Sequence, residues 1–185
     1  MIKDIHDDAK HRMDQAVEHT RMELAAVRTG RANPELVENL TIDYYGTKTP
    51  LKQMSNISVP EARLIKVQPF DKTIMADVER AIMESNLGLT PNNNGEVILI
   101  PIPPLSEERR RDLIKVVHHL VEDGRVSIRN VRKDANHHIK MIQDEGHISE
   151  DEIKRAEQDI QDLTDRHIKN LNDMMEHKEK ELMEF

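Results

Sequence analysis

The sequence predicts an α+β protein, an elongated three-helix bundle into which a small, strand-rich α/β domain is inserted. Apolar residues recur every three or four positions near both ends of the chain, which is the spacing of helices that bury one face. Between these segments, short alternating runs and turn residues indicate strands, and prolines stiffen both junctions. We therefore expect a bundle made of residues 1–30 and 105–185, with residues 31–104 forming the inserted domain.

The composition excludes several classes of function. With 37% hydrophobic and 34% charged residues, the 185-residue chain favours long helices over a thick globular core. Aromatic residues make up only 2%, so recognition of single-stranded nucleic acid by base stacking is not expected. The net charge of −8 argues against a general nucleic-acid binder. A local basic patch is compatible with it, because exposed charges more than about 10 Å apart are largely screened at moderate salt.

The chain contains no cysteine, which excludes a disulfide framework and favours a reducing compartment. The N-terminus begins directly in an amphipathic pattern, so neither a signal peptide nor a membrane-spanning segment is expected. The longest apolar run, Val97 to Ile102, has the length of a strand. We expect a cytoplasmic protein with no membrane partner.

The first helix is predicted to run from Ile2 to about Thr29. Gly30 suits the C-terminal end of a helix, and Arg28 and Arg31 flank that end favourably for the helix dipole. A proline then breaks the helical pattern and opens the inserted domain.

The inserted domain is predicted from four strand-like segments, one helix and two turns. The strands are Leu40–Tyr44, Ile57–Val59, Leu64–Val67 and Val97–Ile100. The helix is capped by Asp71 and closes at Leu87–Gly88. Turn residues occupy positions 45–47 and 90–95, where Asn-Gly tolerates a positive φ.

Two long helices follow. The second helix begins at a Ser106 cap and reaches about Glu145, and Ser149–Glu152 is a capping box that opens the third. Gly124 lies on the apolar stripe of the second helix, where a neighbouring helix could approach closely. That stripe comprises Leu113, Val117, Leu120, Gly124, Ile128, Val131, Ala135, Ile139 and Ile142. The stripe of the third helix comprises Ile153, Ala156, Ile160, Leu163, His167, Leu171, Met174 and Leu182.

A second stripe on the second helix is basic. It lies about a quarter turn from the apolar one and comprises Arg125, Arg129, Arg132, Asn136 and Lys140. Arg129 and Arg132 have no acid three or four positions away, so we expect neither to have an acidic partner on its own helix. Like charges four apart cost about 0.2–0.5 kcal/mol per pair, and arginine favours bidentate contact with phosphate. The stripe is therefore either a solvated face compensated by acids on a neighbouring helix or a surface that binds a polyanion.

The sequence offers little for catalysis. No glycine-rich phosphate loop is present, so bound nucleotide is not expected. His118–His119 and His137–His138 are adjacent pairs, which diverge on a helix, whereas helical metal ligands are spaced i, i+4. Ser106 and Ser149 are explained as helix caps. We expect no catalytic residue, no metal and no cofactor.

Five parts of the chain form a specific combination. They are Tyr45–Leu51, Ser85–Pro91 with Asn94–Gly95, Pro103–Arg110, Arg129–Asn136 and the ending Lys178–Phe185. In this order and spacing they resemble the ribosome recycling factor family over essentially the whole chain. The resemblance implies a three-helix bundle with a hinged α/β domain, L-shaped overall. It also implies binding to the large ribosomal subunit after termination, where elongation factor G and GTP act with the protein to split the ribosome and release it from mRNA. The protein itself would hydrolyse nothing.

The resemblance also assigns residues. The family's basic helix face, which contacts ribosomal RNA, corresponds to Arg129 and Arg132, and further to Arg28, Arg31, Arg109, Arg110 and Lys133. The family's hinge corresponds to Arg31, Ala32, Asn33 and Pro34 and to Pro101, Pro103, Pro104 and Leu105. The chain departs from many members at Leu99, where they carry a basic residue. The expected partners are large-subunit ribosomal RNA and elongation factor G, with no DNA, and the protein is expected to be a monomer.

A second function of a different class stays open on the sequence pattern alone. Acidic residues crowd the third helix, at Glu150, Asp151, Glu152, Glu157, Asp159, Asp162 and Asp165. A helical adaptor could dock such a face on a basic protein. Co-sedimentation with ribosomes at moderate salt separates the two interpretations.

Overall fold

The computed structural model describes residues 1–184; Phe185, which ends the last of the five matching parts, lies outside the described residues. The described chain forms two compact units. We call them the helical unit, Met1–Val27 with Arg111–Lys180, and the α/β unit, Arg28–Arg110 with the described residues from Glu181. The predicted fold class is confirmed, because long helices form a bundle and a small antiparallel sheet forms a separate unit.

The helices and strands follow the chain in a simple order. They are α1 Ile2–Ala26, α2 Glu35–Glu38, β1 Thr41–Tyr44, β2 Thr47–Pro50, α3 Leu51–Met54, β3 Ser55–Glu61, β4 Leu64–Pro69, α4 Met75–Glu84, β5 Asn92–Asn93, β6 Ile98–Pro101, α5 Glu107–Asp144 and α6 Glu150–Glu184. A 3₁₀ turn, Lys72–Ile74, precedes α4. Within residues 1–184, no helix combines the length and the apolar character needed to cross a bilayer.

The helical unit is held together by the apolar stripes of α1, α5 and α6. On α5 every predicted stripe position is buried except Leu120, which is only partly buried, while Val121 is fully buried instead. The stripe reaches Gly124 from Val117 by a step of four and then three, and the prediction had those steps reversed. Both orders keep one helical face, so periodicity alone does not choose between them.

Gly124 marks a close approach of the three helices, as predicted. A Cβ at this position would overlap Oγ1 of Thr20 on α1 and would lie 3.1 Å from Cδ1 of Leu171 on α6. Thr20 is itself buried and donates its hydroxyl hydrogen to the carbonyl of Ala16 at 3.0 Å. The absence of a side chain at Gly124 therefore sets how near α1 comes to α5.

The long helices begin at the predicted caps. The Ser106 hydroxyl accepts a hydrogen bond from the N–H of Arg109 at 3.1 Å. At the start of α6, the N–H of Glu152 donates to Ser149 Oγ at 3.3 Å and the N–H of Ser149 donates to the Glu152 carboxylate at 3.1 Å. These reciprocal bonds satisfy amide groups that the first helical turn leaves without partners.

The first helix ends earlier than predicted. It stops at Ala26, because Val27 has an extended backbone with φ −71° and ψ 119°. Thr29 and Gly30 are then buried, and Gly30 does not adopt the positive φ of a helix-terminating glycine. The chain thus leaves the helix three residues early to bury this segment, and tertiary packing overrides the local helix signal.

The α/β unit contains a four-stranded antiparallel sheet in the order β3-β4-β6-β5 and a separate β1–β2 hairpin. The hairpin turn places Tyr45 and Gly46 at positive φ, 50° and 82°. The core of the α/β unit is aliphatic. It includes the fully buried residues Val37, Leu51, Ile65, Val67, Val78, Ile82, Ile98 and Ile100. Branched side chains from the strands and from α4 thus make up much of this core.

Several predicted boundaries in the α/β unit are wrong. The strand expected at Ile57–Val59 extends over all of β3, β2 begins at Thr47, the last residue of one expected turn, and β5 lies within the other expected turn. The helix after Asp71 ends at Glu84 rather than Leu87–Gly88, because Ser85 turns to an extended conformation and donates its N–H and hydroxyl hydrogens to carbonyls of the last turn. The predicted Asp71 cap is confirmed by its bond from the Thr73 N–H at 2.9 Å.

Candidate nucleic-acid interface

The strongest candidate surface lies on α5, at Arg132. Val131 and Ile128 are buried and fix this part of the helix to its neighbours, so the orientation of the basic stripe is set by the apolar one. The Arg132 side chain is half-buried. Within residues 1–184 it has no hydrogen bond or ion pair. A partly desolvated guanidinium with no internal partner is suited to bind an anion from outside.

Arg129, one turn away, is arranged differently. Its Nη1 donates to Oε1 of Glu122 at 3.0 Å, across two turns of the same helix. The expectation that Arg129 lacks an acidic partner on its own helix is therefore wrong. The prediction considered acids three and four positions from Arg129. Two extended side chains on one helix face can also meet at i, i+7.

Arg125 is not available on this surface, although it belongs to the predicted stripe. Its side chain is only 20% exposed. Nε donates to Oδ1 of Asn172 on α6 at 3.0 Å, and Nη1 donates to Oε2 of Glu122 at 3.1 Å. Arg125 therefore links α5 to α6 and supports Glu122 from one side.

Glu122 consequently lies between two arginines, with one carboxylate oxygen directed to each. Hydrogen bonds from Arg125 and, second, from Arg129 hold the pKa of the Glu122 carboxyl below its usual range. The carboxylate is therefore charged at neutral pH and offsets the repulsion between two arginines spaced four apart.

The rest of the stripe and the residues beside it carry both signs of charge. Lys133 and Lys140 are exposed. The neighbouring Asp134 accepts from Nη2 of Arg12 on α1 at 2.9 Å, and this bond holds the pKa of the Asp134 carboxyl below its usual range. Asn136 is half-buried, and its Oδ1 is a buried acceptor with no partner among residues 1–184. The face around Arg132 thus carries net positive charge and an unsatisfied acceptor.

The other four predicted ribosomal RNA contacts lie in the α/β unit, so the structure does not gather all seven within one unit. Arg28 donates to the carbonyls of Leu87 and Pro103, both at 3.4 Å. Arg110 donates to the carbonyls of Leu182 and Met183, at 3.1 and 2.9 Å. Arg31 and Arg109 are exposed. Arg28 and Arg110 therefore bind the protein's own backbone.

The predicted hinge residues are partly fixed within the α/β unit. The N–H of Ala32 donates to the carbonyl of Ala62 at 2.7 Å, and Pro101 pairs with Leu64 in the β4–β6 ladder. Asn33 accepts from the N–H of Glu35 at 3.0 Å, and Pro34 is the N-cap residue of α2. Pro103 and Pro104 are exposed and Leu105 is half-buried.

Sequence reasoning missed the role of Glu122 and Asn172 around the basic stripe. Glu122 stands three positions before Arg125, and this i, i+3 spacing was a usable signal. Asn172 lies on another helix, and no local pattern places it near Arg125. No group of three or more His, Asp or Glu side chains within residues 1–184 is arranged to hold a metal ion.

The fold and this face together define a class of proteins. Its members have a bundle of long helices with a cationic helix face, and a separate small unit with an antiparallel sheet. A family model described as ribosome recycling factor matches residues 20–183. Ribosome-recycling factors from Geobacillus sp. (strain WCH70) and from Syntrophomonas wolfei are each 51% identical over 184 residues, covering 100% of this chain and 100% of their own length. The chain belongs to the ribosome recycling factor family, a family of translation factors.

Solved structures agree with this assignment. A solution structure of the ribosome recycling factor is 44% identical, with a TM-score of 0.81, over 100% of this chain and 98% of that chain. A second structure is 42% identical, with a TM-score of 0.70, over 98% of each chain. It belongs to models for the T. thermophilus ribosome recycling factor and the E. coli elongation factor G bound to the E. coli post-termination complex.

Proposed function

We propose that this protein binds the post-termination ribosome and, together with elongation factor G and GTP, promotes its separation into subunits, so that ribosomes are released from mRNA. Membership of the ribosome recycling factor family supports the role. The related factor that is described with elongation factor G on a post-termination complex supports the choice of partners. In this proposal the protein acts as a cytoplasmic monomer.

The observation that carries the proposal is the half-buried, internally unpaired guanidinium of Arg132. Ribosomal RNA of the large subunit presents a dense array of phosphates, and a planar guanidinium binds a phosphate through two parallel hydrogen bonds. Arg129 and Lys133 extend the same face. Arg31 and Arg109 are exposed cations of the α/β unit. Arg28 and Arg110 would have to give up backbone bonds to contribute.

The direct test is Arg132→Ala, measured by equilibrium binding to vacant ribosomes at several salt concentrations. Since a hydrogen bond to a charged group contributes about 1.5–3 kcal/mol, affinity should fall about tenfold or more. The dependence of affinity on salt should become shallower by about one released counterion. The melting temperature should not change, because Arg132 has no internal partner to lose.

Two further variants make this test specific. Lys115→Ala removes one exposed positive charge from the same helix and should bind nearly as tightly as the unchanged protein. Arg132→Lys keeps the charge but lacks the two-pronged geometry, and it should fall between the other two. If Arg132→Ala binds ribosomes normally and melts normally, the stripe is a solvated face, and the adaptor function with a basic protein partner becomes the better interpretation.

The protein itself is proposed to hydrolyse nothing, with GTP hydrolysis carried out by elongation factor G. The purified protein incubated with GTP should release phosphate no faster than buffer. Adding it to ribosomes, elongation factor G and GTP should produce free subunits, detected by light scattering. Phosphate release by the protein alone would contradict this part of the proposal.

The two units are proposed to have different tasks, with the helical unit as the anchor and the α/β unit as the part on which the GTPase acts. Ala32 and Ile102 are bonded to Ala62 and Arg63 within the α/β unit, so we propose that bending occurs just outside them, near Arg31 and at Pro103–Leu105. Spin labels on Thr47 and Lys169 should then give a broad distance distribution in solution. A single narrow distribution, unchanged on ribosome binding, would exclude such a hinge.

A further inference from the structure

The carboxylate of Glu122 is hydrogen-bonded to two arginines, and the rest of the protein holds one of these arginines more firmly than the other. On one side Arg125 is anchored to Asn172 of α6 and is only 20% exposed. On the other side Arg129 is 46% exposed, and among residues 1–184 its side chain has a hydrogen bond or ion pair only with Glu122. The side chains therefore form a chain of contacts that starts on α6, passes through Arg125 and Glu122, and ends at Arg129. Arg125 is the less exposed and better supported of the two arginines, so the support runs from α6 towards Arg129.

The contact uses only one edge of the Arg129 guanidinium. Nη1 donates to Glu122 at 3.0 Å, whereas the edge formed by Nε and Nη2 has no partner among residues 1–184. That second edge is the one whose parallel N–H bonds match two oxygens of a phosphate group. A bound carboxylate on the first edge therefore limits rotation of the long side chain and leaves the second edge ready for an anion.

From this geometry we propose that Glu122 is a positioning residue for the ribosomal RNA interface, an acidic side chain that strengthens phosphate binding by orienting Arg129. This inference rests on the proposed function and deepens it. It predicts an unexpected direction for the effect of an acidic side chain on phosphate affinity. Simple electrostatics predicts that an acid beside a phosphate site weakens binding, whereas orientation of the guanidinium predicts that removing the acid weakens it. Pre-organisation increases affinity because less side-chain entropy is lost on binding.

A neighbouring acid provides the matched control. Asp123 follows Glu122 on α5 and carries the same charge, but its carboxylate pairs with His119 at 3.5 Å and contacts no arginine of the interface. Glu122→Ala and Asp123→Ala therefore change the net charge equally. They differ in whether the support of Arg129 is lost.

The experiment measures ribosome affinity and its salt dependence for both variants, for Arg129→Ala, and for the double variant. We expect Glu122→Ala to bind about three- to tenfold more weakly, a fraction of the loss for a complete charged hydrogen bond. Asp123→Ala should bind equally well or slightly more tightly. In the Arg129→Ala background, Glu122→Ala should have no further effect, because a positioning residue acts only through the side chain it positions.

A variant on a different helix gives an independent check. Asn172→Ala removes the anchor of Arg125 on α6 and should produce a smaller loss in the same direction, again absent when Arg129 is alanine. Circular dichroism should show the same helix content for all variants, because the substituted side chains are solvent-facing or at the bundle surface.

Three results would overturn the inference. The first is Glu122→Ala binding as tightly as, or more tightly than, the unchanged protein while Arg129→Ala binds weakly; this leaves the proposed function intact. The second is a loss from Glu122→Ala that persists in full without Arg129, which means that Glu122 acts elsewhere. The third is normal binding by both Arg129→Ala and Arg132→Ala, which removes the proposed interface itself and the inference with it.

Discussion

The helical unit and the α/β unit differ in what fixes their structure and in what they do with their arginines. In the helical unit, side chains from distant helices meet along periodic stripes, and the arginines of α5 either face outward or are held by a carboxylate. In the α/β unit, backbone hydrogen bonds between remote segments fix the chain, and Arg28 and Arg110 bind backbone carbonyls. Arg28 and Arg110 therefore serve internal structure in the α/β unit, whereas Arg132 in the helical unit has no hydrogen bond or ion pair among residues 1–184.

Glycine provides the strongest test of this difference. Gly124→Ala in the helical unit adds a methyl group that overlaps Thr20 Oγ1. Overpacking costs about 1–3 kcal/mol, and the better helix propensity of alanine returns about 1 kcal/mol, so the free energy of unfolding should fall by up to about 2 kcal/mol. Chemical denaturation measures this loss. Repeating the substitution in a Thr20→Ala background should relieve most of it.

The matched glycine in the α/β unit should respond differently. Gly46 has a φ of 82°, and a Cβ there would meet nothing within 4 Å. Gly46→Ala should destabilise by about 1 kcal/mol through backbone strain alone, and Gly46→Asn should cost less because asparagine tolerates a positive φ. If truncating the neighbouring side chains does not restore the stability lost in Gly124→Ala, the two units do not differ in this way.

A smaller effect separates the two uses of arginine. Arg110→Ala removes donors from the carbonyls of Leu182 and Met183, so it should lower the free energy of unfolding by about 1 kcal/mol. Its effect on ribosome affinity should be smaller than that of Arg132→Ala. Thermal melting and ribosome binding of the two variants should therefore give opposite rankings. Equal losses of affinity without loss of stability would show that Arg110 is a ribosome contact and not an internal brace.

The smallest expected effect is the dependence of stability on acidic pH through Asp14. Asp14 on α1 bonds with Lys10 and with His167 on α6, and these partners, Lys10 first, hold the pKa of the Asp14 carboxyl below 3.8. A lowered folded-state pKa adds stability that is present above the unfolded value and is lost as the pH falls through the folded one. Because the carboxylate is half exposed, Asp14→Asn should cost only about 0.5 kcal/mol or less at pH 7.

This difference should shrink as the pH falls below the unfolded-state pKa of Asp14 and disappear below its lower folded-state pKa, where the carboxyl is protonated in the unchanged protein. Denaturation curves recorded between pH 7 and pH 2 measure it. Asp7→Asn, which removes an exposed carboxylate from the same helix, serves as control and should show little change at any pH. A loss for Asp14→Asn that stays constant down to pH 2 would mean that packing, and not charge, explains it.

Much of the helical unit could be predicted because its signals are periodic and local. The stripes, the caps at Ser106 and Ser149 and the close approach at Gly124 all follow from residues within one helix. The end of α1 could not be predicted, because burial of Thr29 and Gly30 by the rest of the chain overrides the helix pattern. The domain boundaries, the hinge and the ribosomal RNA contacts stay predictions.

The α/β unit was harder to predict for a physical reason. β2 and β5 are short and mostly polar, and they exist because Thr47 pairs with Tyr44 and Asn92 pairs with Leu99. Such pairing depends on backbone partners and not on a side-chain pattern. The Glu122 contacts were missed for a related reason, since the sequence shows spacing along one helix but not the reach of extended side chains across two turns or between helices.

The order of the elements has a consequence for biosynthesis. α1 is made first, but the helices that cover its apolar stripe, α5 and α6, begin only at Glu107 and Glu150. At about 5–20 residues per second, α1 waits several seconds beside the emerging chain before a partner for Ala9 or Met13 exists. The α/β unit, by contrast, has its complete core once Ile102 has been made. We expect the inserted unit to fold first on the nascent chain, before the N-terminal and C-terminal segments of the helical unit come together.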